Sequence, residues 1–239
     1  MKRHAVEWTP EKIGAFWDYV SSIEAQSERY FTKSVGNGVA RHVAQVVPLA
    51  GRTVLDFGCG PGHLFPHLAR HAPTSRYFGL DFSPNSIEEL KRKWGAHPQF
   101  AGGAAIGSFP VTLEREFDVI VCCEVIEHLD DETLEHVCAA FARLLRKGGT
   151  LYLSTPNDEN LDANSIMCPD CGGTFHRWQH LRSWNARSLV AQLARHGFVG
   201  HRTEALIYGN NWLRAQVSTR ARRALGRPLP NLCYVGTRG

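Results

Sequence analysis

The sequence predicts an α/β fold: a doubly wound, seven-stranded, mostly parallel sheet with a small insertion after its fifth strand. Residues 53–64, TVLDFGCGPGHL, indicate a short apolar strand, a glycine loop and the start of a helix, which is the opening unit of such a sheet. Residues 76–82, RYFGLDF, indicate a second strand that ends in an acid. Short apolar runs then alternate with helical patterns, as expected of strands joined by crossover helices.

The glycine loop also indicates the kind of ligand. Glycines adopt positive φ and let the backbone approach a ligand closely. A dinucleotide fingerprint needs a glycine at position 63, where this chain has His63. Asp56 lies at the strand end beside the loop, where a carboxylate repels phosphate and attracts a cation. The loop therefore favours a ligand with positive charge over a pyrophosphate.

The stretch resembles the first motif of class I S-adenosylmethionine-dependent methyltransferases, D/E-x-G-x-G-x-G. The resemblance covers residues 40–210 and implies S-adenosylmethionine as cofactor, whose sulfonium and ammonium suit the acid. Asp81 follows Asp56 by 25 residues and would bind the ribose, while Phe82 would lie on the adenine. The next loop, which ends at Ala105, lacks the acid that often binds the adenine amino group in this family, so backbone or water would replace it. The cofactor-binding candidates are Asp56, Gly58, Gly60, Gly62, His63, Asp81, Phe82, Ala105 and Cys123.

Residues 1–50 are predicted to form a helical lid before the first strand of the sheet. Thr9, followed by proline and glutamate, caps a first helix. The sequence GNG at 36–38 predicts a break before a second helix. Tyr30 either covers the cofactor or packs on the sheet, and for Trp17 packing on the sheet is favoured.

Residues 51–239 are predicted to form the methyltransferase domain. Its insertion at 158–184 is expected to be irregular, and a second insertion at 209–230 is expected to be a basic helix. The remaining strands are predicted near 99–101, 117–122, 150–154, 199–208 and 232–236, with helices at 84–94, 131–146 and 185–196.

The catalytic candidates are Glu124, Glu127 and His128, which follow the fourth strand, where α/β sheets bind their ligands. If this segment turns helically, the two carboxylates share a face and the imidazole lies one turn from Glu124. Such a group can hold a divalent ion or act as base and orienter without metal. The structural alternative is that Glu127 caps the next helix.

A second candidate site is a zinc knuckle in the insertion. Cys168, Cys171, His176 and His180 have the spacing C-x2-C-x4-H-x3-H, and both pairs match zinc-ligand spacing. The alternative is two thiols without metal. The prediction is a structural zinc ion, with a second divalent metal at Glu124, Glu127 and His128 as a further possibility.

A resemblance to known families gives His180 a second possible role. The Glu-x-x-Glu-His motif followed by this histidine resembles small-RNA 3′-terminal 2′-O-methyltransferases, which implies that Glu124, Glu127, His128 and His180 hold a metal that grips two hydroxyls. The same motif resembles the ubiquinone-pathway O-methyltransferases. The whole chain resembles bacterial methyltransferases of polysaccharide and envelope biosynthesis, including a knuckle before the histidine.

Composition limits where the protein works and what it binds. The first ten residues lack the apolar stretch of a signal peptide. Five of the seven cysteines lie in strand or helix patterns and suit buried thiols in a reducing compartment, so a cytoplasmic protein is expected. Residues 201–239 hold seven Arg and one Glu, while the remainder has 20 basic and 22 acidic residues. The body of the chain is therefore not a general nucleic-acid surface.

The basic excess lies mainly on one predicted helix. Leu213, Val217, Ala221 and Leu225 recur every four residues within 211–227, among five arginines. Such a helix can lie on an anionic membrane or on phosphates, or pack on its own domain or on a dimer partner. The sequence indicates no oligomeric state.

The predicted function is methyl transfer to an oxygen of a saccharide or another polyhydroxylated small molecule. Carboxylates and imidazoles suit hydroxyl groups, whereas a flat aromatic acceptor needs more apolar walls. The alternatives are metal-dependent 2′-O-methylation of RNA 3′ ends, which offer the same neighbouring hydroxyls, and a binding module that keeps the cofactor site without chemistry.

Overall fold

A computed structural model describes residues 2–23, 30–107 and 109–239. The strands are β1 (His4–Ala5), β2 (Thr53–Phe57), β3 (Arg76–Asp81), β4 (Phe100–Ala105), β5 (Phe117–Cys123), β6 (Leu145–Pro156), β7 (Ser165–Met167), β8 (Gly173–His176), β9 (Phe198–Leu206) and β10 (Asn231–Arg238). The α-helices are α1 (Pro10–Ser22), α2 (Phe31–Val46), α3 (Phe65–His71), α4 (Pro84–Trp94), α5 (Asp131–Leu144), α6 (Ala186–Arg195) and α7 (Trp212–Ala224). Short 3-10 turns span Ile126–His128 and Leu161–Asn164.

The main sheet has seven strands in the order β4-β3-β2-β5-β6-β10-β9. β10 pairs antiparallel with both of its neighbours, while β2 to β6 pair in parallel. β9 therefore runs in the same direction as β6, and the carboxyl ends of six strands lie along one edge. This confirms the predicted doubly wound sheet. That edge is called the carboxyl edge below.

The sheet is covered on both faces, which explains its apolar strands. Leu55 and Ile120 belong to the hydrophobic cluster on one face, and Val54 and Val121 belong to the cluster on the other. Successive side chains of a strand point to opposite faces, so a strand buried on both sides is apolar at nearly every position. Asp56 breaks this pattern at the carboxyl edge, which marks it as a functional position.

α2 runs without interruption through the GNG sequence, so the predicted break at 36–38 was wrong. The two glycines serve close packing instead. A Cβ on Gly36 would lie 2.9 Å from the His67 ring, and a Cβ on Gly38 would lie 2.4 Å from the Gly209 carbonyl oxygen. Both are closer than atoms pack, so the glycines let α2 pack tightly against the rest of the domain.

The insertion at 158–184 is more regular than predicted. β7 and β8 form an antiparallel hairpin, and β1 joins β8 in parallel to complete a three-stranded sheet. His4 lies opposite Gly173 in this register. The amino-terminal segment and the insertion therefore fold together, although about 170 residues separate them in sequence.

α7 does not bury the larger apolar side chains that its sequence pattern predicts to face the domain. Its buried residues are Ala215 and Thr219, whereas the predicted apolar side, which includes Leu213 and Val217, is exposed to solvent. Among the helices that the structure describes, none has the length and apolar composition needed to cross a membrane.

Candidate functional site

The glycine loop follows β2 at the carboxyl edge, and its backbone is fixed by its neighbours. The amide of Gly58 donates to the Leu80 carbonyl at 2.7 Å. Gly58, Gly60 and Gly62 all have positive φ, which residues with a Cβ rarely adopt. A Cβ on Gly58 would also come within 2.3 Å of Val125. The loop therefore has a backbone conformation and a close approach to Val125 that only glycine permits at position 58.

Asp81, at the end of β3, organises this loop from the neighbouring strand. Its Oδ2 accepts a hydrogen bond from the Gly60 amide at 2.7 Å, and its Oδ1 accepts one from the Ser83 amide at 2.9 Å. Each carboxylate oxygen has further lone pairs, so the group retains the capacity to bind ribose hydroxyls. Asp81 lies beside the glycine loop at the carboxyl edge, and its contact with the ribose stays a prediction.

Asp56 is a buried carboxyl group that has an unsatisfied atom. Within the described residues its Oδ2 has no hydrogen-bond partner. Burial, and then the charge of Asp81, raise the pKa of Asp56 to about 7. A cation beside this group would compensate both effects. The donor set therefore fits the ammonium or sulfonium of S-adenosylmethionine.

The other cofactor candidates lie around the same loop. The Tyr30 ring lies 5.8 Å from the His63 ring. The Phe82 ring packs at 5.6 Å from Phe109 and Ala105 ends β4, exposed. Burial raises the pKa of the Cys123 thiol well above its usual range, so this residue is an apolar wall rather than a nucleophile.

Glu124 follows β5 with an unusual backbone. Its φ is 54°, a left-handed conformation that costs free energy in a residue with a side chain and is often found at functional sites. Its amide donates to the Ser154 carbonyl at 2.9 Å, and its Oε1 accepts from the Ser154 hydroxyl at 3.0 Å. Burial raises its pKa to about 8. The strained turn places a second carboxyl group, with a pKa near neutral pH, at the carboxyl edge.

Glu127 lies in the 3-10 turn and is 1% exposed. Its Oε2 accepts from the Thr155 hydroxyl at 3.0 Å, while its Oε1 has no partner among the described residues. Burial and the charge of Glu124 raise its pKa well above the usual range. The capping alternative is excluded because Asp130 caps α5, accepting from the Thr133 amide.

His128 completes this turn. Its Nε2 lies 3.8 Å from the Glu127 Oε1, and its buried Nδ1 finds no partner in the part of the chain that is described. Burial, with a smaller contribution from His180, lowers the pKa of His128 to about 3. The imidazole is therefore neutral at physiological pH and offers an unused nitrogen.

His180 is brought to this cluster by a residue that sequence reasoning missed. Glu159 lies after β6, and its Oε2 is in short hydrogen-bond contact with the His180 Nδ1. The Glu159 Oε1 lies 3.3 Å from the His176 Nε2. The His176 and His180 rings stack at 4.3 Å, and the His180 ring meets His128 at 4.8 Å. Fixing Nδ1 in this way leaves the His180 Nε2 for another partner.

Two groups of side chains in the described residues have metal-ligand proximity. Glu127, His128 and His180 form one, and Glu159, His176 and His180 form the other; the ligand atoms of each lie within 4.8 Å of one another. In the second group the His176 Nδ1 accepts hydrogen bonds from the amides of residues 178 and 180. Its Nε2 then carries the proton, which disfavours metal binding there. The first group is the better metal candidate.

The predicted four-residue zinc knuckle is not assembled. Cys168 and Cys171 lie at the turn between β7 and β8, whereas His176 ends β8 and packs with His180 and Glu159. The cysteine turn still suits thiolates: amides of residues 171 and 170 lower the pKa of Cys168, and the Gly173 amide donates to the Cys171 Sγ at 3.4 Å. Strand direction separates the two pairs, since a strand rises about 3.3 Å per residue.

His4 lies beside the cysteine turn and was also missed. A Cβ placed on Gly173 would be 3.3 Å from the Cys171 Sγ and 3.8 Å from the His4 Nε2. β1 brings this histidine from the amino-terminal segment. No local spacing in the sequence signals such a partner, because the pairing of β1 with β8 creates it.

The amino-terminal helix covers the site. The Trp17 ring meets His128 edge-on at 4.7 Å, and its Nε1 donates to the Gln179 Oε1 at 2.9 Å. The Gln179 amide nitrogen donates to the His128 carbonyl at 2.8 Å. The favoured prediction that Trp17 packs on the sheet was wrong, because this ring lies against a catalytic candidate and the insertion.

Comparison with known proteins identifies the family of this chain. A family model described as "Methyltransferase domain" matches residues 31–202. The "Ubiquinone biosynthesis O-methyltransferase" of Methylococcus capsulatus is 38% identical over 115 residues, 46% of this chain and 45% of that protein. The protein of the same description from Thiobacillus denitrificans is 34% identical over 124 residues, 49% and 50% of the two chains. The chain spans about half the length of these curated relatives.

Solved structures share the fold at low sequence identity. The 1,6-didemethyltoxoflavin-N1-methyltransferase of Burkholderia thailandensis, solved with S-adenosylhomocysteine, has a TM-score of 0.65 and 17% identity, covering 98% of this chain and 92% of that one. The N-methyltransferase NodS of Bradyrhizobium japonicum has a TM-score of 0.60 and 16% identity, covering 95% and 98%. Because the family model matches residues 31–202, most of its length, the chain belongs to the methyltransferase-domain family.

Proposed function

We propose that this chain is an S-adenosylmethionine-dependent methyltransferase that acts on a hydroxyl oxygen of a polyhydroxylated acceptor, with a saccharide as the first candidate. The proposal rests on one observation: Glu124, Glu127, His128 and His180 converge at the carboxyl edge. Two of their buried polar atoms, the Glu127 Oε1 and the His128 Nδ1, lack hydrogen-bond partners within the described residues. Buried polar groups are normally hydrogen-bonded, so this cluster is suited to a ligand that brings several donors and acceptors.

Position supports a role in the reaction. The glycine loop follows β2, and Glu124 follows β5, its neighbour in the sheet. S-adenosylmethionine supplies an electrophilic methyl group on its sulfonium. Asp56 and Asp81 hold the cofactor on one side, and the turn at 124–128 faces it from the next strand. Holding the acceptor oxygen in line with the methyl group supplies much of the rate enhancement.

The His128 imidazole can orient the acceptor hydroxyl. His128 is neutral because its pKa is lowered to about 3, so its free nitrogen can accept a hydrogen bond from a hydroxyl. The pKa values of Glu124 and Glu127 are raised, so both carboxyls hold protons unless a cation lies beside them. A divalent ion held by Glu124, Glu127, His128 and His180 would favour the ionised form of the two carboxyl groups. It would also lower the pKa of a nearby hydroxyl.

A phenol with a neighbouring hydroxyl is the second candidate acceptor. The Trp17 ring lies against His128, and the Tyr30 ring lies 6.2 Å from the Trp17 ring. The relatives named above are described as O-methyltransferases of ubiquinone biosynthesis. Aromatic walls favour a flat ring, while the carboxylates and imidazoles favour its hydroxyls.

Transfer of a labelled methyl group to an acceptor panel tests this proposal. The panel contains saccharides, catechols, monohydroxy phenols, primary amines and oligoribonucleotides with intact or periodate-treated 3′ ends. Glu127→Gln should abolish transfer while leaving affinity for S-adenosylhomocysteine unchanged. Glu132→Gln, on the exposed side of α5, is the matched control. Methylation of amines alone would refute O-methylation, and periodate-sensitive methylation of RNA would replace the saccharide by the RNA alternative.

We further propose a structural zinc ion at Cys168 and Cys171, with His4 as a third ligand in place of His176 and His180. Support comes from the amides directed at both sulfur atoms, a geometry that favours thiolates. Such an ion would fasten the amino-terminal strand to the insertion. Rotation of the exposed His4 side chain would complete the contact.

A further inference from the structure

We propose that α7 docks the enzyme on an anionic lipid bilayer. The helix and the residues that follow it, 211–227, form a surface in which exposed aliphatic side chains alternate with arginines. This segment is called the docking helix below. The inference is independent of which acceptor is methylated.

The aliphatic side of the docking helix is open to solvent. Leu213, Val217 and Leu225 are 66%, 59% and 66% exposed. Leu213 and Val217 are four residues apart and fall on one side of α7, because a helix advances about 100° per residue, and Leu225 follows directly after the last residue of the helix. Single exposed aliphatic residues are ordinary, but three along one segment form an apolar surface that marks a binding site.

The opposite side anchors the helix to its own domain. Ala215 and Thr219 are buried, and the Thr219 hydroxyl accepts from the Ile207 amide at 3.1 Å. At the helix start, the Arg41 guanidinium lies 5.9 Å from the Trp212 ring centroid. The helix is therefore held with its small residues inward. In the described structure nothing covers its larger aliphatic side.

The charge of this segment is uniform. It contains five arginines and no acidic residue. Arg214 and Arg220 flank the aliphatic side, given the helical rotation of about 100° per residue. Arg222 and Arg223 donate to the carbonyls of Pro228 and Ala205 at 3.1 and 3.0 Å, which ties them beside the helix. Each Lys or Arg near an anionic membrane strengthens binding.

Exposed aliphatic side chains together with arginines favour a lipid surface over a second copy of the chain or RNA. A second copy of the chain meeting the same face would set arginines against arginines, because a two-fold interface is self-complementary. RNA would use the arginines but gives large aliphatic side chains no apolar environment. An anionic bilayer satisfies both, since aliphatic residues enter the acyl boundary while the cations remain among headgroups.

The docking helix also lies at a useful place in the fold. It begins just after β9, whose end lies on the carboxyl edge together with the ends of β2 and β5. The Asn210 side chain donates to the Ser34 carbonyl at 2.8 Å, next to the start of α2 and so near Tyr30. Docking would bring the entrance of the candidate site to the lipid surface, where an acceptor carried on a lipid is accessible.

Vesicle co-sedimentation tests the docking helix directly. Wild-type protein is mixed with vesicles of phosphatidylcholine alone or of phosphatidylcholine with phosphatidylglycerol. We expect binding to the anionic vesicles only, weakened at least tenfold by Leu213→Ser, Val217→Ser and Leu225→Ser together. Arg214→Glu with Arg220→Glu should weaken it equally. Val199→Ser and Arg187→Glu, exposed positions elsewhere, are the matched controls and should bind as wild type does.

Further readouts separate this inference from its competitors. The serine variant should keep its melting temperature and its affinity for S-adenosylhomocysteine, because the three side chains are exposed. Equal binding of wild type and serine variant to anionic vesicles would overturn the inference, as would absence of binding to both vesicles. Self-association that the serine substitutions abolish, without vesicle binding, would assign the surface to a second copy instead.

Discussion

Asp56→Asn should have opposite effects on stability and on cofactor binding. The carboxyl group is buried, its Oδ2 lacks a partner among the described residues, and its pKa is raised from 3.8 to about 7. An amide of the same shape removes the cost of holding a charge there. It also removes the charge that attracts the cofactor's positive groups.

The sign of the pH effect follows from the direction of the shift. Between 3.8 and about 7, the folded state holds a proton that the unfolded state has lost, so wild-type stability falls as pH rises through this window. Above it the loss is complete. A shift from 3.8 to about 7 corresponds to about 4 kcal/mol at most. The asparagine variant does not titrate, so its advantage over wild type should grow through the same window and then stay constant.

Thermal denaturation of the cofactor-free protein measures the effect on stability. It is carried out at about pH 4.5 and pH 8, which span most of the range in which the folded and unfolded states differ in protonation. Calorimetry with S-adenosylhomocysteine at pH 8 measures the effect on cofactor binding. Losing a hydrogen bond to a charged group costs about 1.5–3 kcal/mol, so affinity should fall roughly tenfold to hundredfold. Asp162→Asn, at an exposed position, is the control for general charge removal.

Two results would refute this reasoning. If the melting temperatures of Asp56→Asn and wild type differ by the same amount at both pH values, the carboxyl does not titrate as the structure indicates. If the variant binds S-adenosylhomocysteine as wild type does, Asp56 does not contact the ammonium group, which this product shares with the cofactor.

Three further outcomes are expected. Asp81→Asn should weaken S-adenosylhomocysteine binding by about 2 kcal/mol in calorimetry; unchanged affinity would remove the ribose assignment. Purified protein should contain zinc by elemental analysis, which the double substitution Cys168→Ser and Cys171→Ser removes, whereas His176→Ala retains it; loss in both would restore the original four-residue set. Glu159→Gln should weaken divalent-metal binding about 10- to 100-fold without changing affinity for S-adenosylhomocysteine, and an equal loss of both would indicate a general structural role.

The sheet and the cofactor loop were predictable because their signals are local. Asp56 and the loop glycines lie within seven residues, and one βα unit determines their arrangement. Asp81 was predictable because the parallel sheet brings the next strand end to the same edge. Glu124, Glu127 and His128 follow another such strand, so their placement needed topology alone.

Contacts across long sequence separations were not predictable in the same way. His4 meets the cysteine turn only because β1 joins β8, and Glu159 meets His180 only because the insertion folds back on itself. Periodicity also has a limit in α7. It identifies which residues share a side, such as Leu213 and Val217, but the small residues Ala215 and Thr219 pack against the domain instead.

Gln179 connects α1 to the candidate site. Its side chain is fully buried and bridges the Trp17 indole to the His128 carbonyl, while its own backbone has a left-handed φ of 59°. If α1 moves away, a buried amide loses a partner at a cost of about 1–3 kcal/mol. The packing of α1 and the shape of the candidate acceptor site are thus thermodynamically linked. An acceptor that binds only when α1 is packed against the site must stabilise the amino-terminal segment when it binds.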